Sequence, residues 1–131
     1  MKSLDTNLLL RLVLDDIPKQ SAAVNALFDE ETQKYAVEDI VFAEIVWILL
    51  GIRYRYPREH IAANVQLILA IPQIVCNRAM LKKSMILYVK YPKLSYVDTC
   101  LAGYAELSNN KPLLSFDKKL VESLPKTVAI L

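Results

Sequence analysis

Twice in this chain a short strand-like run ends at an aspartate that opens a helical segment: Met1–Leu4 leads into Asp5, and Pro112–Phe116 into Asp117. A short strand followed at once by a helix, repeated along a chain, favours parallel strands joined by helical crossovers over a meander or a bundle. The intervening residues keep that order. Leu8, Leu9, Leu12 and Val13 form a helical stripe after Asp5, ended by Pro18. Residues 19–31 repeat the period through Ala22, Ala23, Ala26 and Leu27, and Tyr35–Val37 reads as a second strand. A very apolar helix is expected at 41–54, another from 58 to 70 opened by Pro57, a strand at Ile74–Cys76 after Pro72, and a helix at Arg78–Tyr91. Ser95 caps a helix whose apolar stripe is Val97, Cys100, Leu101, Tyr104 and Ala105. Beyond the Pro112–Phe116 strand come a short helix at 117–123 and a last strand at Val128–Leu131. The expected fold is therefore α/β, a three-layer α/β/α sandwich around a short, mostly parallel central sheet. With 131 residues and neither repeats nor a Gly/Ser linker, residues 1–131 read as one domain.

Composition narrows the chemistry. The only glycines are Gly51 and Gly103, so neither a GxxxxGK[ST] phosphate loop nor a GxGxxG dinucleotide turn can be written. A single histidine, His60, leaves little scope for histidine metal sites or a catalytic triad. Chemistry here points to carboxylates. Cys76 and Cys100 stand 24 positions apart without a CxxC spacing, as suits buried, reduced thiols. The leucine-rich start is bracketed by Asp5 and Arg11, unlike a signal peptide, and no apolar run approaches the roughly 18 residues of a membrane span. A soluble, cytoplasmic chain without membrane contact is expected.

The net charge of +2 hides an asymmetry. Residues 1–50 carry four Lys/Arg against nine Asp/Glu, whereas 51–131 carry twelve against five. No acid occurs between Glu59 and Asp98, yet Arg78, Lys82, Lys83, Lys90 and Lys93 do, a pattern compatible with a face that contacts phosphates or with an ordinary solvated face. Arg11, Arg53, Arg55 and Arg58 carry the same two readings. Tyr54, Tyr56, Tyr88 and Tyr91 could stack on bases or cover the edges of the core.

Four acids occupy telling positions. In open parallel sheets, ligands collect beyond the carboxyl ends of strands, where Asp5 and Asp117 are expected, so the two would share one edge. Asp98 falls in the first turn of its helix, where the macrodipole favours negative charge; alone, it reads as an N-terminal helix charge. Glu44 interrupts Ile40–Ala43 and Ile45–Leu50, so its helical neighbours are mostly apolar and a buried, unpaired carboxylate there would cost several kcal/mol. Either an arginine such as Arg11 or Arg53 pairs with it, or a cation does. Were all four acids to converge, only a divalent cation would let them stay ionised together, and an all-oxygen set selects Mg²⁺ or Mn²⁺ over zinc. Such a cluster can bridge a phosphodiester and activate water for in-line attack, which is nuclease chemistry.

With these residues in place, the chain resembles PIN-domain ribonucleases, specifically the small VapC-type toxins of toxin–antitoxin pairs. The matching segments, in order, are Leu4-Asp5-Thr6-Asn7, Phe42-Ala43-Glu44-Ile45-Val46-Trp47-Ile48-Leu49, Tyr96-Val97-Asp98-Thr99-Cys100-Leu101-Ala102 and Leu114-Ser115-Phe116-Asp117. The resemblance implies that Asp5, Glu44, Asp98 and Asp117 bind Mg²⁺ or Mn²⁺ and carry catalysis, with Asn7 and Ser115 in support. Ser115 stands where the family more often has threonine, and Leu120 where phenylalanine is frequent. It also implies RNA as substrate, hydrolysis as the reaction, homodimers, and an antitoxin that wraps the early helices and blocks the metal site, often with a basic side chain. The residues themselves add apolar area at Leu8–Leu14 and 19–31 that could serve a partner helix or the core.

Two other readings compete. A phosphatase working through an aspartyl phosphate could use Asp5 as nucleophile, but its DxD signature fails because position 7 is Asn7. An inactive RNA-binding or scaffolding domain would disperse the acids into ordinary salt bridges. Indifference of both stability and RNA cleavage to Mn²⁺ and chelator would favour that non-enzymatic reading.

Overall fold

The computed structural model describes residues 1–14 and 16–131, which fall into two compact units, Met1–Asn77 and Arg78–Leu131. In the first unit the order is β1 (Lys2–Ser3), α1 (Thr6–Leu14), α2 (Pro18–Leu27), β2 (Tyr35–Ala36), α3 (Asp39–Leu50), α4 (Arg58–Leu69) and β3 (Ile74–Val75). The strands form a parallel sheet in the order β1-β2-β3, with Lys2 opposite Tyr35 and Tyr35 opposite Ile74. Backbone pairing runs a residue further: Leu4 N–H donates to Ala36 O at 2.9 Å, and Val37 N–H to Val75 O at 3.0 Å. These bonds hold the chain extended up to the residue before Asp5 and to within two residues of α3.

Pro18 opens α2; α1 is described as Thr6–Leu14, and the expected helix up to Pro18 includes position 15, outside the described residues. Proline's fixed φ and missing N–H suit the first helical turn, where that donor has no intrahelical partner. The helix buries Ser21 and Val24 and leaves Ala22, Ala23 and Ala26 exposed, so the alanine period marks helix propensity and not a core face. On α1 the buried residues are Thr6, Leu9, Leu10 and Arg11, so the inner face is turned away from the expected stripe and keeps only Leu9 of it. Phe42, Ile45, Val46 and Leu49 of α3 are buried as that helix packs on α1 and α4. Gly51 ends α3 three residues before the expected position 54.

The second unit comprises α5 (Arg78–Lys90), α6 (Tyr96–Leu107), β4 (Leu113–Ser115), α7 (Lys118–Ser123) and β5 (Val128–Ile130). β4 and β5 pair in parallel, with Leu113 opposite Val128 and Ser115 opposite Ile130. Leu87, Leu94, Ala102, Leu120, Leu124 and Val128 make its core. Within each unit the strands pair in parallel, as expected; at two or three residues each, their ladders end after a few bonds. The α6 stripe is also corrected. Tyr96, Thr99, Ala102, Gly103 and Ala105 are buried, while Val97 and Leu101 are exposed and Cys100 is half-buried. Small residues set this face: a Cβ on Gly103 would lie 3.0 Å from Ser84 Oγ of α5, so the absence of a side chain there lets α5 and α6 approach. Lys83 Nζ joins Glu106 Oε2 across the same pair at 3.0 Å. Thr127 Oγ1 donates to Glu106 Oε1 at 2.7 Å. These two partners, the threonine hydrogen bond foremost, hold the Glu106 carboxyl below its usual pKa. Among the described residues, no helix is long and apolar enough to cross a membrane.

Candidate functional site

Asp5 lies two residues past β1 and immediately before α1. Its Oδ1 accepts the Leu8 N–H at 3.1 Å, satisfying one of the donors that a helix start leaves unpaired. Asp117 repeats the arrangement two residues past β4, where Oδ1 accepts from Lys119 N at 2.9 Å and Leu120 N at 3.4 Å. Ser115 supports it from the strand, its Oγ accepting the Asp117 N–H at 3.0 Å. Asp98 completes a capping box with Ser95: the Asp98 N–H donates to Ser95 Oγ, and Asp98 Oδ2 accepts the Ser95 N–H, both at 3.1 Å. The plain role of a helix-start charge, foreseen for Asp98, is therefore filled. All three helix starts also bring positive dipole ends to these carboxylates.

Glu44 differs from expectation. It sits mid-helix on α3 but is exposed, and so are Ile40 (76 %) and Trp47 (75 %), its neighbours four positions before and three after. The apolar residues flanking it in sequence lie partly on an open face of a helix that is apolar nearly all round, so they do not bury it. Neither proposed arginine pairs with it. Arg11 is buried and bridges Asp16, and Arg53 lies over the Tyr54 ring with Cζ 5.3 Å from the centroid. Arg11 is thereby withdrawn from the phosphate-contact reading as well.

Asp5 and Asn7 come together on the wall of a cleft of about 520 Å³ between α1 and α2, with Leu8, Arg11, Val24 and Leu27 among its other lining residues. A second cleft of about 590 Å³ shares Asn7 and Arg11 and extends along Trp47 and Leu50 to Ile52, Arg53 and Tyr54. Sequence reasoning passed over Trp47; its one signal is a place one helical turn beyond Glu44. Among the described residues, neither unit by itself gathers three or more His, Cys, Asp or Glu side chains able to hold a metal ion. The donor set nevertheless suits Mg²⁺ or Mn²⁺. At Asp5, Asp98 and Asp117 backbone donors fix one carboxylate oxygen, and the other has no protein hydrogen-bond partner among the described residues. Oriented, hard oxygen donors with a lone-pair face to spare are what these cations bind.

A family model, that of the PIN domain, matches residues 3–123, a span that includes all four acids as well as Asn7 and Ser115. It agrees with the α/β class seen here, short parallel strands with helices between them, and with the three-layer fold expected from the sequence. A search of curated proteins returned no match.

Proposed function

The chain belongs to the PIN domain family, whose members are generally metal-dependent nucleases, and we propose from that premise that it is an endoribonuclease dependent on Mg²⁺ or Mn²⁺, acting as the toxin of a toxin–antitoxin pair in the cytoplasm. The observation that carries this reading is that one family match spans all four acids in order. Asp5, Glu44, Asp98 and Asp117 are assigned as the ligands and the catalytic set. When bound, the cation would supply an activated water and neutralise charge on the scissile phosphodiester. The protein's share is to hold the carboxylates oriented. Helix-start donors do this at Asp5, Asp98 and Asp117, and Ser115 steadies the backbone of Asp117. Asn7, exposed two residues after Asp5, is assigned to orient substrate or water.

The α1–α2 cleft supports an antitoxin partner. Its walls are apolar at Leu8, Ala23, Val24 and Leu27 and it opens onto Asp5, so a partner's apolar segment could lie in it and direct a basic side chain at that carboxylate. A homodimer is proposed as well, with exposed Val97, Leu101 and Tyr104 of α6, at i, i+4 and i+7, as apolar area for a second copy. Incubating the purified chain with a structured RNA, with Mn²⁺ or with chelator, tests the enzymatic reading. Cleavage that needs Mn²⁺ and disappears in Asp5→Asn is expected. Cleavage and thermal stability both indifferent to metal would leave a non-catalytic RNA-binding domain in its place.

A further inference from the structure

We propose that the connection from α3 to α4, residues 51–57, together with Trp47 is a contact surface for single-stranded RNA, in which Arg53 and Arg55 hold phosphates and the cleft between Trp47 and Tyr54 receives an unstacked base. The choice of RNA rests on the ribonuclease reading; the surface is a separate observation. Aromatic and basic residues alternate here as Arg53, Tyr54, Arg55, Tyr56 and Arg58, ending in His60. Four of them form a ladder: Arg53 lies over Tyr54, Tyr54 meets Tyr56 edge-on at 5.7 Å, and Tyr56 stacks on His60 at 4.1 Å and 8°. Arg53 and Arg55 are exposed, and neither bridges a carboxylate among the described residues. Exposed guanidinium groups that bridge no carboxylate, one of them over a ring face, match a polyanion whose bases are free to stack.

The segment is also shaped in advance. Tyr54 N–H and Arg55 N–H both donate to Gly51 O, at 3.1 and 2.8 Å, and Tyr56 N–H donates to Leu49 O at 2.9 Å. Arg55 sits at φ 48°, in the left-handed region where a residue with a side chain is disfavoured. Glycine would hold that turn with less strain, so the arginine is not there for the backbone. The cleft begins at Trp47, three residues along α3 from Glu44, an axial rise of about 4.5 Å. It also contains Asn7, assigned above to the reaction. A strand held at Asp5 and Glu44 would therefore pass its neighbouring nucleotide over this surface. The large exposed apolar groups of the cleft, Trp47 and Ile52, would suit a second copy of the chain too, and the test separates the two occupants.

Trp47 is the only tryptophan, so its fluorescence reports on this cleft alone. The probe is a twelve-nucleotide oligouridylate titrated into the full chain in chelator, where cleavage does not intervene. Saturable quenching of Trp47 is expected. Replacing both arginines, Arg53→Ala with Arg55→Gly, should weaken binding about tenfold or more at 0.1 M salt and reduce the slope of log K against log salt by about 1.4, the value for two lost phosphate contacts on a single strand. Tyr54→Leu, which keeps bulk and removes the ring, should weaken binding at least about fivefold with a smaller change in slope. In cleavage with Mn²⁺ the double variant should raise KM and keep kcat. Unchanged affinity, slope and KM in the double variant would overturn the surface while leaving the ribonuclease reading intact. Shielding of Trp47 from iodide that grows with protein concentration, without RNA, would overturn it in favour of a second copy. Quenching with the expected slope in a chain that cleaves no RNA under any metal would uphold the surface and defeat the nuclease reading.

Discussion

Replacing Glu44 by Gln separates a metal ligand from a structural carboxylate, because the surroundings of this side chain assign it no structural duty. It is exposed on the middle of α3, and among the described residues no basic side chain bridges it. Removing its charge strands no partner and opens no cavity. The expected change in unfolding free energy is therefore that of an ordinary surface substitution, within about 0.5 kcal/mol, against about 3–5 kcal/mol for breaking a buried ion pair. With a urea m-value of about 1–3 kcal/mol/M, the first outcome moves the midpoint by less than about 0.5 M and the second by more than about 1 M. Function should respond on another scale. Altering even an outer partner of a metal site costs about 10–100-fold, and a direct ligand should cost no less, so Mn²⁺-dependent cleavage is expected to fall at least about 100-fold. Urea unfolding of the metal-free variant, run beside Mn²⁺ titration of cleavage, measures both. A midpoint shift above about 1 M with cleavage retained would make Glu44 structural, and full cleavage with unchanged stability would remove it from the catalytic set.

Asp98→Asn and Asp98→Ala should both abolish cleavage, but only the alanine loses the acceptor of the capping box, and thermal unfolding should show it less stable by about 1 kcal/mol. Glu106 has a folded-state pKa held below its unfolded value by Thr127 and Lys83, so its stabilisation is present above about pH 4.3 and is lost as pH falls through the folded value. Urea midpoints at neutral and acid pH should fall more steeply in the wild type than in Glu106→Gln; parallel pH profiles would refute the linkage. Gly103→Val should destabilise by about 1–3 kcal/mol through overpacking at Ser84, with partial recovery on adding Ser84→Ala; additive effects in the double variant would place the strain elsewhere.

Local signals proved legible where backbone chemistry decides the outcome. Pro57 precedes α4, Ser95 caps α6, and each aspartate that ends a strand-like run starts a helix, because these residues act on the turn they occupy. What periodicity could not tell is which face of an apolar helix turns inward. In α6 the inner face carries Thr99, Ala102 and Gly103 because close approach to α5 needs small residues, while the larger Val97 and Leu101 remain outside. In α3 nearly every position is apolar, so sequence supplies no direction, and Glu44 fell on the open side. The candidate site was legible as four acids in order. The helix-capping bonds that orient three of them, and the cleft beside Trp47, depend on contacts that spacing alone does not specify.

Three of the four proposed ligands have a structural task already, and the two tasks share a cause. A parallel strand that feeds a helix delivers its next residues to the strand's carboxyl end, where ligands gather, and one of those residues is also the one whose side chain can cap the helix. Asp5 and Asp117 meet both demands at one position, and Asp98 meets the capping demand within its own box. Backbone N–H groups supply partners to these carboxylates without metal, so the fold does not require a cation to tolerate them. Asparagine caps a helix about as well as aspartate but brings no charge to a cation. Substitution to Asn at these three positions can thus remove the chemistry and keep the helix start, whereas Ala removes both. Glu44, placed mid-helix and exposed with no cap to make, has no such structural task, so its substitution reads the proposed metal role alone.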